Sequence, residues 1–282
     1  NDPFVDTQLS WFDRESRDLG NSGTPPARYI DVRLAPDEQH AVVTRALSGN
    51  QSSVWVVDLA RHGITKIAER PGLNSNIAWS PDGKRVAYSS DGSGTETLYT
   101  RDASAASPEE LLFQSPVLFK KPQSWSPDGR SVLFAQRTPE TQVDLMVAST
   151  SGDQKATPWV AEPGNEDTAR FSPDGHWVAY VSDESGSKDV YVRSFPTPDH
   201  KYRVTTDGGT WVMWKRDGSA LLIVGADGRQ LKMADVRVGA ELSIGVPKPA
   251  GTLPPGALAW DATGDLQRLL VSLPPNGSAR RS

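Results

Sequence analysis

Short apolar runs recur along the whole chain, each set apart from the next by a cluster of Gly, Ser, Asp, Asn or Pro. Runs such as Val54-Trp55-Val56-Val57, Arg85-Val86-Ala87-Tyr88, Ser131-Val132-Leu133-Phe134, Trp177-Val178-Ala179-Tyr180 and Val190-Tyr191-Val192 predict short strands. The polar clusters between them predict tight turns. One cluster repeats. Ser-Pro-Asp-Gly stands at Ser80–Gly83, Ser126–Gly129 and Ser172–Gly175, with degenerate copies at Ala35–Glu38, Lys215–Gly218 and Asp261–Gly264. The third position falls at 37, 82, 128, 174, 217 and 263, in steps of 45, 46, 46, 43 and 46. A period of about 40–50 residues is that of a four-stranded propeller blade.

Each copy follows a large apolar residue (Leu34, Trp79, Trp125, Phe171, Trp214, Trp260) and precedes an apolar run. Pro at the second position fixes φ and Gly at the fourth suits a tight turn, so the tetrapeptide joins the innermost strand, a, to the next, b. The sixth copy has an inner strand (Ala257–Trp260) and a second strand (Arg268–Leu273), and then the apolar pattern stops. Near the N-terminus, Leu9–Asp13 repeats the third-strand pattern of Val54–Asp58, and Arg17–Gly20 follows as a fourth strand. The expected fold is therefore all-β: one six-bladed β-propeller over residues 1–273, with four antiparallel strands per blade. The blades fall at about 27–70, 71–114, 115–160, 161–206, 207–252 and 253–273. The last is completed by 7–20 in a two-plus-two closure that leaves no free edge. Residues 274–282 are expected to form a flexible tail.

Composition narrows the function classes. With no cysteine, the chain has no disulfide, thiolate metal site or cysteine nucleophile. A net charge of −5 gives no basic footprint for nucleic acid. No apolar run approaches the roughly 20 residues that span a bilayer, so membrane insertion is not expected. The chain begins at Asn1 with no signal-like segment, which reads as a piece of a longer protein. There is no Gly-x-Ser-x-Gly elbow, Walker loop or Gly-x-Gly-x-x-Gly run.

The Ser-Pro-Asp-Gly copies, each led by Trp or Phe and followed by an apolar strand, resemble the TolB-like propellers with WD-like repeats. Trp11-Phe12-Asp13-Arg14 and Phe171–Ser187 are also similar to propellers appended to bacterial serine/threonine kinases. The resemblance implies a six-bladed ring used for binding or sensing in a bacterium, in an extracytoplasmic setting, with a kinase domain elsewhere in the parent chain. It implies no catalytic residues, because the repeat motif is structural.

Residues shared by most repeats are assigned to the fold. Asp37, Asp82, Asp128, Asp174 and Asp217 read as turn formers, and Asp13, Asp58, Asp102 and Asp235, at the end of the third strand, read likewise. The Trp column reads as packing between blades. Asp91–Glu96 has the look of a calcium loop without its ligand spacing, and Asp183 and Asp227 occupy similar turn sites. His40, His62, His176 and His200 are expected on the tetrapeptide face, in different blades, as turn residues.

Positions that vary between repeats are the candidates for function. Three and five residues before the aromatic column stand Asp31, Asn76 and Trp211, and Tyr29, Asn74 and Glu166. With Asp167, and with Arg33, Lys121 and Arg170 as compensating cations, they are expected to ring the channel mouth on the face of the loops that join blades. Three functions fit such a ring. The first is a monomeric sensor or binding module for a small polar molecule or a peptide. The second is a hydrolase of lactones, esters or phosphotriesters, similar in architecture to paraoxonase and gluconolactonase propellers. It would hold a divalent cation such as calcium on Asp31, Asn76, Glu166 and Asp167. The third is a protein-docking scaffold.

Overall fold

In the computed structural model, which describes residues 6–92, 94–117, 119–138, 142–238 and 241–274, the apolar runs pair into five sheets. The expected tail falls almost wholly outside the described residues. Tyr29–Leu34, His40–Ala46, Ser52–Asp58 and Gly63–Ala68 form one antiparallel meander; Asn74–Trp79, Arg85–Ser90, Thr97–Asp102 and Glu110–Phe113 form the next. An eight-stranded sheet contains two such meanders, one from Lys120 to Val160 and one from Gly164 to Arg203. They join through a short parallel pairing of Gln142 with Gly164 and Val143 with Asn165. In the next sheet, Trp211–Trp214, Ala220–Val224 and Gln230–Val238 run side by side, and the third strand takes both Leu242–Ile244 and Lys248–Thr252 along its length.

The fifth sheet is drawn from both ends of the chain. Its order is Ala259–Ala262, Arg268–Leu273, Gln8–Asp13 and Asp18–Asn21, and Gln8–Asp13 pairs with Arg268–Leu273 along its whole length. Inner strands stand side by side around an axis, each beside the next in chain order from Tyr29–Leu34 to Trp211–Trp214. Ala259–Ala262 comes back against Tyr29–Leu34. This is an all-β propeller, and no helix among the described residues is long and apolar enough to cross a membrane.

The apolar clusters lie between neighbouring meanders. Val42, Val54 and Ile67 pack on Ile77, Val86 and Tyr88; Ala179, Val190 and Val192 pack on Val212, Leu221 and Ile223. The aromatic column adds a polar link across the same joints. The indole N–H groups of Trp79, Trp125 and Trp214 donate to the carbonyls of Arg33, Ala78 and Arg170, at 3.0, 3.2 and 3.0 Å, on the preceding inner strand. Each Trp thus buries its ring and satisfies its only donor on the neighbour.

The turn aspartates do what the repeat implies. Ser80 Oγ donates to Asp82 at 2.6 Å and accepts from Arg85 N, while Gly83 N donates to Ser80 O. The same network shows that the sixth copy lies two residues later than the spacing suggests. Thr263 Oγ1 donates to Asp265 at 2.6 Å, Arg268 N donates to Thr263 Oγ1, and Leu266 N donates to Thr263 O. Leu266 adopts φ 61°, where Gly83 has 68°, so a leucine holds a left-handed position that glycine holds elsewhere. The inner strand is accordingly Ala259–Ala262, and Ala262, not Trp260, ends the aromatic column.

Trp125→Phe keeps the ring but leaves the Ala78 carbonyl without its donor. It should lower stability by about 1–2 kcal/mol in urea unfolding. A loss below about 0.3 kcal/mol would show that the link contributes nothing.

Candidate functional site

Side chains alternate along an inner strand, so positions at even spacing from the aromatic column should share one face. Bulges break that rule. One extra residue interrupts the pairing between Tyr29 and Asp31, Ser75 and Ala78, Pro122 and Ser124, and Asp167 and Arg170. A one-residue slip sends every side chain before it to the other face. Tyr29, Asn74 and Glu166, expected at the channel mouth, are therefore fully buried away from it, together with Lys120.

Buried there, these side chains hold the loops that join the meanders. Asn74 Nδ2 donates to the carbonyls of Ser52 and Arg70 at 2.7 and 2.8 Å. Lys120 Nζ donates to the carbonyls of Glu96 and Ser115 at 2.8 and 3.0 Å and to that of Val117, and burial lowers its pKa. Tyr29 Oη donates to Pro25 O at 2.6 Å. Glu166 is different: Oε1 accepts from Ser182 Oγ at 3.1 Å, while Oε2 has no protein partner. Burial, against the weaker opposing effect of the Ser182 hydrogen bond, pushes its carboxyl up to about 8.

The remaining candidates stay near the inner strands' first residues. Asp31 accepts from the Ile77 amide across the joint and pairs with Arg33 at 2.9 Å. Asn76, at φ 54°, donates to Ser75 Oγ and Ser89 Oγ. Asp167 accepts from Gln123 Nε2 at 2.7 Å and faces Lys121 Nζ at 3.4 Å. Trp211 lies against Trp260, with ring centroids 4.2 Å apart, inside an apolar cluster.

The four side chains expected to hold a cation are thus separated and engaged elsewhere: Glu166 is buried behind the wall, and the other three bond within it. Among the described residues, no group of three or more His, Asp or Glu side chains is arranged for a metal ion. In the Asp91–Glu96 loop, Asp91 Oδ1 accepts the Leu73 amide at 2.6 Å. Among the histidines, His40 Nδ1 lies 2.7 Å from Asp37, and His62 Nδ1 lies 3.1 Å from Ser22 O.

The position one before the column lines the channel. Arg33, Ala78, Ser124, Arg170, Met213 and Asp261 surround a neck of about 170 Å³. Arg170 Nη1 donates to Ala169 O at 3.1 Å and to Gln123 O. Burial and the nearby Arg33 charge bring the Arg170 guanidinium down to about 10. Asp261 is buried and accepts the Leu34 amide at 2.8 Å; desolvation raises its pKa against the pull of Arg33.

The neck widens onto the tetrapeptide face, opposite to the expected one. A concavity of about 480 Å³ opens there, with Pro36, Pro81, Pro127 and Pro173 around its rim and Trp125, Phe171, Met213 and Trp214 on its walls. Arg170 reaches it from below, and Arg216 replaces a proline in the fifth repeat, pairing with Glu38. The prolines carried a signal in the sequence. A residue recurring at the tips of four successive inner strands must line an arc around the axis as well as shape its turn.

Comparisons with known proteins bear on the fold. The TolB beta propeller domain model matches residues 26–157. The Tol-Pal system protein TolB of Francisella tularensis subsp. mediasiatica (strain FSC147) is 23% identical in an alignment 224 residues long that covers 60% of this chain and 49% of that protein. The chain therefore spans about half the length of the curated relatives it matches. A putative TolB from Agrobacterium tumefaciens superposes with a TM-score of 0.70 at 16% identity, over 95% of this chain and 98% of that one. TolB from Acinetobacter baumannii gives 0.63 at 14%, over 95% and 63%. An oligogalacturonate lyase in complex with manganese gives 0.61 at 15%, over 93% and 77%. At these identities the structural likenesses establish the fold alone.

Glu166 makes the fold pH-sensitive in a definite direction. Its folded pKa lies near 8 and its ordinary value at 4.5, so the fold favours the protonated form. Its contribution should be complete below about pH 4.5 and fade as pH rises through about 8. Glu166→Gln should remove this part of the alkaline loss in thermal unfolding between about pH 5 and 9. Parallel pH profiles for both proteins would show that the carboxyl does not titrate in that window.

Proposed function

We propose that this propeller, which is similar to TolB propellers, is an interaction module that docks a polypeptide segment of a partner protein in the proline-rimmed mouth. The carrying observation is that mouth: about 480 Å³ of concave surface, walled by Trp125, Phe171, Met213 and Trp214 and held by a rigid ring. Concave, mostly apolar sites with a few placed polar groups are where ligands bind, and flat aromatic and proline surfaces suit extended peptides. In this reading the ring has six blades, one for each tetrapeptide copy. The name of the curated relatives, Tol-Pal system protein, suits the extracytoplasmic setting expected from the sequence.

A peptide is favoured over a small polar molecule because the mouth is broad, open and apolar, while the polar groups lie at its floor. The hydrolase reading has less support, since its four ligand side chains are not brought together. The appended-kinase setting remains compatible with a docking role.

Met213→Glu places a charge on the apolar wall, at a side chain that also packs partly buried against the joint formed by Leu222, Ala262 and Leu269. Peptides selected on the folded protein from a random display library should bind this variant at least about tenfold more weakly. Its melting temperature, expected to fall because Met213 packs on that joint, is measured alongside, and binding is compared at a temperature where the variant is folded. Selected peptides that bind it as well as the unaltered protein would place docking on another surface.

A further inference from the structure

The floor of the mouth has a charge arrangement that the docking reading leaves unused. Arg170 projects into the neck from the fourth inner strand, and Arg33 from the first. Arg33 has a carboxylate partner, Asp31, at 2.9 Å, and its buried Nε has no hydrogen-bond partner. Arg170 has no carboxylate within ion-pairing distance among the described residues; its bonds run to two carbonyls, both through Nη1. A guanidinium offers five N–H groups in a planar fork suited to a carboxylate, so most of this fork faces the neck unmatched.

We propose that the channel neck captures the C-terminal carboxylate of the docked segment on the guanidinium of Arg170, with Arg33 supplying further positive potential. This deepens the docking reading and rests on it for the location of the segment. The neck favours a chain end over an acidic side chain for a steric reason. At about 170 Å³ it has room for little more than one residue, and a terminus enters without the chain having to turn back. The ring around it is otherwise Ala78, Ser124, Met213 and Asp261. Asp261 shares the ring with one oxygen held by the Leu34 amide at 2.8 Å; burial raises its pKa against the attraction of Arg33 and Arg170, which lessens its repulsion of an incoming carboxylate. Asp31 and Asp167 are engaged with Arg33 and with Gln123 and Lys121; with Asp261 they attract Arg170 from beyond ion-pairing distance, and none bonds its guanidinium directly.

The test uses an N-acetylated Leu-Pro-Leu peptide with a free C-terminal carboxylate, its C-terminal amide, and an amidated version ending in Asp. Binding is read by calorimetry. In a separate arm, acetate replaces chloride at constant ionic strength while the arginine Nε–H NMR signals are followed. The free acid should bind about tenfold or more tightly than the plain amide, and acetate should shift the Arg170 signal. Arg170→Met should abolish the acid-over-amide preference and leave the amide's own affinity in place. Arg170→Lys, which keeps the charge, should retain part of the preference and stands in if the Met variant does not fold.

Equal binding of acid and amide, both weakened by Met213→Glu, would overturn the anchor and leave the docking mouth intact. An Asp-ending amide as tight as the free acid would overturn the choice of a chain terminus. If Met213→Glu weakens none of the peptides, the mouth reading fails. The acetate arm then decides alone, and an unmoved Arg170 signal overturns the anion site.

Discussion

The structure depends on the pairing of Gln8–Asp13 with Arg268–Leu273. A propeller has no central core; its apolar surface lies in the joints between neighbouring meanders, and each joint needs its neighbour on both sides. Without that pairing the last sheet would expose two edges, and the cluster of Leu9, Tyr29, Val43 and Leu270 would lose one wall. A short polar chain secures the seam: Ser272 Oγ donates to Thr7 Oγ1 at 2.7 Å, with Tyr29 O 2.9 Å away, and Thr7 Oγ1 in turn donates to Ala27 O at 2.9 Å. These groups are fully buried, so each is bonded where no water could replace the partner.

Closure makes the inner strands a rigid wall, and the bulges decide what that wall presents. By inserting one residue, each bulged strand turns its early side chains into the body and leaves its later ones in the channel. Asn74, Lys120 and Tyr29 become clamps on connecting loops, a use for polar side chains that requires burial with full satisfaction. Glu166 occupies the same place with a carboxyl that cannot clamp a carbonyl unless protonated, and its raised pKa is the consequence. The same bulges give the channel its lining, in which Arg170 and Arg33 stand among Ala78, Ser124 and Met213 with the carboxyl of Asp261.

The repeat therefore serves two purposes at once. Pro36, Pro81, Pro127 and Pro173 set the backbone of their turns, and the ring brings the four together as a rim. A motif that looks purely structural in each copy becomes a surface when the copies are arranged around an axis. This is why subtracting repeated residues, sound for the turn aspartates, also removed the prolines from consideration as binding residues.

Much of the architecture was determined by local chemistry. The spacing of Ser-Pro-Asp-Gly, the aromatic before it and the apolar run after it specify strand, turn and strand within a few residues, and the match of Leu9–Asp13 to Val54–Asp58 foretold the closing sheet. The sixth turn was misplaced by two residues because Thr263 and Leu266 perform, through hydrogen bonds and a left-handed backbone, what Ser and Gly do elsewhere. The candidate site was less legible. Arg33 and Arg170 were identified as cations near the axis, but which side chains face the channel depends on bulges, and a bulge is set by pairing with a neighbouring strand. Alternation along one strand is a local property. The face on which it ends, and the mouth it builds with the other inner strands, exist only once the ring has closed.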